Sequence, residues 1–150
     1  SGPTGVLTTV LLWVVALQIS TWISIPEMQI SPTFRWVLIV LFSIDAAVLL
    51  VWSHIILPPS VRAKTLITKG PYQFVRHPIY AAFIWSGTGI MAMTFKSWLL
   101  IVFVIPIHIF WAWHVQKEEK HMIDKFGSAY ADYIKTTGQF FPRFIVGNKN

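Results

Sequence analysis

The chain has 150 residues, of which 55% are hydrophobic and 12% are charged, and its formal net charge is +6. A soluble domain usually carries about 25% charged residues, so this composition and the mean hydropathy of +0.60 indicate a membrane protein. The length predicts a single domain over residues 1–150, and the absence of cysteine excludes disulfides and cysteine-ligated metal. The positive charge favours membrane lipids over nucleic acid as the partner. Residues 1–5, SGPTG, are interpreted as a remnant of cloning.

Four segments are predicted to span a bilayer, which requires about 20 mostly apolar residues. The first two, Val6–Ile25 and Phe34–Leu57, each end at proline. The third and fourth, Ile79–Phe95 and Trp98–Val115, are separated by a very short turn and are therefore predicted to form an antiparallel hairpin. The sequence predicts an all-α integral membrane protein with about four transmembrane helices.

Lysine and arginine are concentrated on one side of the predicted spans, because only Arg35 and Lys96 fall on the other side. Cytoplasmic loops carry the excess of Lys and Arg in membrane proteins. The pattern therefore predicts that both termini and residues 58–78 are cytoplasmic. The basic residues on that side are Arg62, Lys64, Lys69, Arg76, Lys117, Lys120, Lys125, Lys135, Arg143 and Lys149.

The segment after the fourth span has the pattern of an amphipathic cytoplasmic helix. Gly127 and Ser128 predict a helix stop followed by a new N-cap. Residues 136–144, TTGQFFPRF, form an apolar segment that is predicted to fold back on the membrane. One predicted helical face contains Glu119, Ile123, Phe126 and Tyr130.

Residues 69–83, KGPYQFVRHPIYAAF, place basic and aromatic side chains between two predicted spans. Gly70 and Pro71 favour a turn, and Pro78 suits the first turn of a helix. Arg76 offers a charge-assisted contact to an anion. Since basic and aromatic residues also collect at ordinary membrane boundaries, composition alone leaves a binding site and a plain boundary equally open.

Glu118 and Glu119 are adjacent acids in a basic segment just beyond the fourth span. They either accept hydrogen bonds from a ligand or form exposed pairs with neighbouring lysines, which contribute little. Glu119 lies on the face predicted to point inward. His114, Glu118 and His121 share another face, but metal sites in helix bundles usually draw ligands from several helices, so no metal site is predicted.

Asp45 and His108 are ionisable residues inside predicted spans, and such residues are a functional hypothesis by default. A pair between them and a neutral Asp45 bonded to Ser43 or Gln18 both remain open. Residues 86–89, SGTG, predict a close-packed helix surface.

The motif GPYQFVRHPIY, followed by EEKHMIDKFGSAYADYIKTTGQFFPRF, resembles the isoprenylcysteine carboxyl methyltransferase and phospholipid methyltransferase superfamily of integral membrane enzymes. The resemblance covers Leu66–Phe144. Its most specific parts are Arg-His-Pro-x-Tyr, the later Glu-Glu pair and the run Phe-Gly-x-x-Tyr-x-x-Tyr at residues 126–133. The resemblance implies a methyltransferase domain with a cofactor-binding core at 66–144 that uses S-adenosylmethionine.

The resemblance also implies where the ligands bind. The cofactor would lie at the cytoplasmic face, and a lipophilic acceptor would enter sideways from the bilayer: a prenylated cysteine, a phospholipid amine, or a small thiol or acid. A carboxylate acceptor requires no base and would be oriented by Arg76 or Arg143, whereas an amine or thiol would lose its proton to Glu119 or His77. Arg76, His77 and Glu119 are thus the implied catalytic residues. The implied cofactor-binding residues are Tyr72, Arg76, His77, Pro78, Tyr80, Glu118 and Glu119.

Two departures from the family pattern affect the acceptor more than the cofactor. Ala82 stands where the family often has glycine. Thr137, Gly138 and Gln139 stand where it often has Val-Pro-Arg, so Gln139 lacks a charge that Arg143 is a candidate to replace.

Two other functions remain open at this stage. One is a sterol-reductase-like membrane enzyme, in which the basic segment 62–69 would bind the 2′-phosphate of NADPH. The other is a small non-enzymatic membrane protein, which would explain the spans and charges but not the two motifs together.

Overall fold

The computed structural model describes residues 2–58, 60–61 and 64–143, and these residues contain helices and no β-strand. The all-α prediction is therefore confirmed. A 3₁₀ turn at Gly70–Gln73 precedes the third helical region, and a π-helical turn at Ala82–Gly87 interrupts that region. The α-helices are α1 (Gly2–Trp22), α2 (Pro32–Ile56), α3 (Pro78–Ala81), α4 (Thr88–Thr94), α5 (Trp98–His114), α6 (Gln116–Phe126) and α7 (Ser128–Thr136).

Three helical runs in the described part of the chain are long and apolar enough to cross a membrane: Gly2–Trp22, Pro32–Ile56 and Trp98–Phe126. The third run is apolar in α5, whereas six of the eleven residues of α6 are charged. The predicted span Ile79–Phe95 corresponds to α3, the π-helical turn and α4, and is not one of these three runs. Its role as a fourth span stays a prediction.

The bounds predicted for the first span, Val6–Ile25, were wrong at both ends. The helix ends at Trp22 because Ser24 adopts a positive φ of 53°, which terminates the helix before Pro26. It begins at Gly2, so most of the segment interpreted as a remnant of cloning is helical.

Large apolar side chains cover the outer surface of the helices. In α2, for example, Ile44 is 56% exposed and Val51 is 58% exposed. Soluble monomers rarely expose contiguous apolar patches of this kind. An outer surface of this composition suits hydrocarbon, in agreement with an integral membrane protein.

Trp111 of α5 is fully buried in a hydrophobic cluster that includes Val6 of α1 and Ala81 of α3. Its Nε1 donates a hydrogen bond of 2.8 Å to Thr9 Oγ1. A Cβ atom at Gly5 would lie 2.3 Å from the Trp111 ring. Glycine at position 5 therefore permits α1 and α5 to approach closely around this ring.

We expect Gly5→Ala to destabilise the protein by about 1–3 kcal/mol, the usual cost of overpacking. The gain in helix propensity, about 1 kcal/mol, does not offset a clash with the ring of Trp111, which is fully buried and therefore has little space to move. Gly2→Ala is the matched control in the same helix, since its Cβ would meet only Tyr80 Oη at 3.7 Å. Thermal unfolding in detergent measures both variants, and equal midpoints would contradict the prediction.

The intramembrane residues Asp45 and His108 do not pair with each other. Asp45 accepts a hydrogen bond from Ser86 Oγ of the π-helical turn, rather than from the predicted partners. The ring of His108 packs against Trp85 and Phe140, with centroids 5.6 Å and 5.4 Å away. The physical reason is the π-helical turn, which brings residues 85 and 86 between the two helices.

The close-packed surface predicted at residues 86–89 is confirmed. A Cβ atom at Gly89 would lie 2.8 Å from the ring of Phe42 in α2, and one at Gly87 would lie 3.1 Å from the ring of Trp13 in α1. Small residues here let α1 and α2 pack against the third helical region.

Candidate functional site

Glu119 is the centre of a partly buried ion-pair cluster. Its Oε1 accepts hydrogen bonds from Arg76 Nε at 2.9 Å and His77 Nε2 at 3.1 Å, and it lies 2.8 Å from Arg76 Nη2. The side chains of Arg76 and Glu119 are only 9% and 15% exposed. The two motifs that are distant in the sequence, Arg-His-Pro and Glu-Glu, therefore meet in space.

The charge of Glu119 follows from this environment. Burial by itself raises the pKa of Glu119, but the hydrogen bond from His77 and the positive charge of Arg76 outweigh it, and the pKa is lowered to about 2. The carboxylate is thus ionised at neutral pH and can only accept hydrogen bonds. The Nε2 atom of His77 must carry the proton that it shares with Glu119.

Glu118, the neighbouring acid, faces a different partner. Tyr80 Oη donates to Glu118 Oε1 at 3.1 Å. The Tyr80 ring is stacked between two other rings, with centroids 5.6 Å from His77 and 4.3 Å from Trp111. Trp111, which α1 holds in place, therefore supports the orientation of Tyr80.

A short tail segment, residues 137–141, runs alongside residues 75–77 and is held largely by main-chain atoms. Val75 and Gly138 form an isolated parallel bridge, in which Arg76 N donates to Gly138 O at 2.8 Å. His77 N donates to Gln139 O at 3.0 Å. The carbonyl groups of this segment thus pair with the amides of the Arg-His motif. The position of residues 136–144 relative to the membrane stays a prediction, and Phe144 lies outside the described residues.

Side chains fasten the same tail segment at two further points. Arg76 Nη1 donates to Thr137 O, and Trp85 Nε1 donates to Phe140 O at 3.1 Å. Phe140 is 2% exposed, with its ring centroid 5.7 Å from that of His77. The tail segment therefore contacts both Arg76 and His77 and holds them in position.

Arg143, the candidate to replace the charge that Gln139 lacks, contacts the end of α7 in this structure, and its role towards an acceptor stays a prediction. Its Nη1 donates to Ile134 O at 3.2 Å and to Lys135 O at 2.8 Å. These are carbonyls of the last turn of α7, which basic side chains commonly cap. Gln139 contributes its backbone carbonyl to His77.

The helix break predicted after the Glu-Glu motif is confirmed at Gly127, where φ is 54°. The sequence predicted Ser128 as the N-cap of α7, whereas the N-cap in the structure is Gly127. The break turns α7 back towards the cluster, where Tyr133 Oη donates to Tyr72 O. Burial and the nearby charge of Glu119 raise the pKa of Tyr130 to about 12.

A cavity of about 1190 Å³ opens beside this cluster. Apolar residues of α1, including Val6, Leu7 and Val10, form one wall. Six of the seven residues implied as cofactor ligands line the cavity, whereas Glu119 is not among the lining residues and holds Arg76 and His77 in place. These six are Tyr72, Arg76, His77, Pro78, Tyr80 and Glu118.

The cavity also has lining residues that sequence reasoning did not select. Tyr130 and Tyr133 belong to the family motif, and Tyr130 also shares the predicted helical face of Glu119. These two signals could have identified them as site residues. Lys117 and His121 line the same cavity from α6. The described residues contain no group of three or more His, Asp or Glu side chains that could hold a metal ion.

Comparison with known proteins gives a family for this arrangement. The sequence model described as the isoprenylcysteine carboxyl methyltransferase family matches residues 33–124. The chain is 28% identical over 91 residues to Protein-S-isoprenylcysteine O-methyltransferase of Saccharomyces cerevisiae, which covers 61% of the chain and 38% of that protein. It is 33% identical over 93 residues to the protein of the same name in Schizosaccharomyces pombe, covering 61% and 39%.

A relative with a different name matches almost as well. The Cobalt-zinc-cadmium resistance protein CzcN of Cupriavidus metallidurans is 30% identical over 83 residues, which covers 55% of the chain and 38% of that protein. The chain spans less than two fifths of the length of each of these three relatives. Names within the group differ, so similarity alone does not determine the acceptor.

Proposed function

The chain belongs to the isoprenylcysteine carboxyl methyltransferase family, and from this membership we propose that it transfers a methyl group from S-adenosylmethionine to a lipophilic acceptor. The observation that carries the proposal is the cavity, which has an ionic cluster at one side and an apolar wall of α1 at the other. Small-molecule sites usually measure about 300–1,000 Å³. A cavity of about 1190 Å³ suits the cofactor together with part of an acceptor.

The residues present suit the chemistry of S-adenosylmethionine. Tyr72 and Tyr130 line the cavity and offer aromatic surface to a purine ring, and the Glu118 carboxylate offers an acceptor for hydroxyl or ammonium groups. When bound, this cofactor supplies a methyl group already activated on a sulfonium. The protein therefore needs to bind, orient and exclude water rather than to activate the methyl group.

We assign Glu119 to positioning rather than to proton abstraction. Its Oε1 already accepts from Arg76 and His77, and a carboxylate with a pKa of about 2 is a poor base. His77 Nε2 is likewise occupied by a proton that faces Glu119. An isoprenylcysteine-like carboxylate loses no proton on methylation, so this arrangement favours it over an amine or thiol.

The proposed orientation places this site at the cytoplasmic face. Lys69, Arg76 and Lys117 lie at the same end of the helices as the cavity, whereas Lys96 lies in the loop at the other end, where it pairs with Glu27. By the positive-inside rule, the cavity end is cytoplasmic. The substrate is then drawn from the inner leaflet, past the apolar wall of α1.

Ligand binding to the detergent-solubilised protein tests the reaction class. We expect S-adenosylhomocysteine to bind with a micromolar dissociation constant or tighter, and NADPH not to bind under the same conditions. Binding of NADPH alone would indicate the reductase instead. If a folded protein bound neither ligand, the non-enzymatic function would be the correct one.

A further inference from the structure

Four side chains that carry or can carry positive charge line the cavity within the described residues: Arg76, His77, Lys117 and His121. Two of them are committed to the protein itself. Arg76 contacts Glu119 and Thr137 O, and His77 Nε2 contacts Glu119. These two groups therefore have little capacity left for a second anion.

Lys117 and His121 are different. They are four residues apart in α6 and so occupy one helical face, and both are exposed while lining the cavity. In the part of the chain that the structure describes, Lys117 has no ion pair with a carboxylate. Glu118, the one acid in the cavity lining, accepts from Tyr80.

We propose that Lys117 and His121 form a subsite for a ligand carboxylate, separate from the cluster of Arg76, His77 and Glu119. The inference rests on the proposed function, because S-adenosylmethionine and an isoprenylcysteine acceptor each carry a carboxylate. An amphiphilic ligand fits this position, since the cavity wall formed by Val6 and Leu7 of α1 is apolar. The ammonium of Lys117 provides the charge, and His121 provides a neighbouring donor.

The test is to measure binding to Lys117→Gln and His121→Gln variants with matched ligand pairs. One pair is S-adenosylhomocysteine and its decarboxylated analogue, and the other is N-acetyl-S-farnesylcysteine and its methyl ester. We expect Lys117→Gln to weaken at least one carboxylate ligand by about tenfold to a hundredfold, as on losing a hydrogen bond to a charged group. The carboxylate-free partner should bind as to the wild type. The pair that changes identifies which ligand occupies the subsite.

Lys120→Gln is the matched control, because Lys120 lies on the same helix, is exposed and does not line the cavity. Lys117→Arg should retain most of the affinity. The proposal would be overturned if Lys117→Gln bound both carboxylates normally, weakened their analogues equally, or behaved like Lys120→Gln. Failure of the wild type to bind S-adenosylhomocysteine would instead refute the proposed function, so the two failures are distinguishable.

Discussion

Replacement of Glu119 by glutamine is expected to lower methyl transfer by about a hundredfold, the usual effect of misplacing groups by about 1 Å. Glutamine keeps the shape of the side chain but removes the charge that faces Arg76 and His77. Removing one partner of a buried ion pair leaves the other charge uncompensated, which costs about 3–5 kcal/mol. Because Glu119 is partly accessible, we expect the free energy of unfolding to fall by about 3 kcal/mol, near the lower end of that range.

The effect of pH on this variant has a definite sign. Burial raises the pKa of Glu119, but the interactions with His77 and Arg76 lower it by more, so the pKa falls from 4.5 to about 2. The stabilisation is therefore complete above the unfolded-state pKa and is lost as the pH falls towards 2. The difference in unfolding stability between the wild type and Glu119→Gln should be constant above pH 4.5 and should narrow below it.

Asp132→Asn is the control for this experiment. Asp132 pairs with Lys135 on the exposed side of α7, and both side chains are at least 70% exposed. Exposed pairs contribute little to stability, so activity and unfolding should not change. If Glu119→Gln kept wild-type turnover and cofactor affinity, Glu119 would have no role in the site, even if the variant were less stable.

The meeting of the two motifs was predictable because their chemistry is carried by side chains. An arginine and a histidine in one basic segment, and a glutamate on the inward face of the next amphipathic helix, are complementary charges that the sequence displays. The lengths of the apolar runs likewise predicted α2 and α5 closely. Both signals depend on residue type, which a single sequence records directly.

The position of the tail segment was not predictable for the opposite reason. Gly138 and Gln139 are held through their backbone carbonyls, and every residue has a carbonyl, so side-chain pattern does not reveal the pairing. The π-helical turn is similarly invisible, since it redirects Ser86 to Asp45 without a distinctive residue sequence. The charge of Arg143 suggested a contact with the acceptor, but its guanidinium donates to the carbonyl group of Lys135 at the end of α7.

Gly138→Ala is expected to disrupt the site from the tail segment. A Cβ atom at Gly138 would lie 1.8 Å from the carbonyl oxygen of Phe141 and 3.0 Å from its carbonyl carbon, so the backbone must shift. Such a shift breaks the hydrogen bonds from the amides of Arg76 and His77, and each buried donor left unsatisfied costs about 1–3 kcal/mol. We expect a destabilisation of about 3 kcal/mol and at least about a tenfold loss of cofactor affinity.

Gln139→Ala separates a main-chain role from a side-chain role at the adjacent position. The substitution keeps the carbonyl that accepts from His77 N, so cofactor affinity and unfolding should match the wild type. Calorimetric binding of S-adenosylhomocysteine and thermal unfolding measure both variants. If Gln139→Ala were as damaging as Gly138→Ala, the Gln139 side chain would be a ligand-binding group. If neither variant had an effect, the tail segment would not support the site. The expected result, damage at Gly138 alone, would mean that the backbone of the tail segment, and not the Gln139 side chain, maintains the positions of Arg76 and His77.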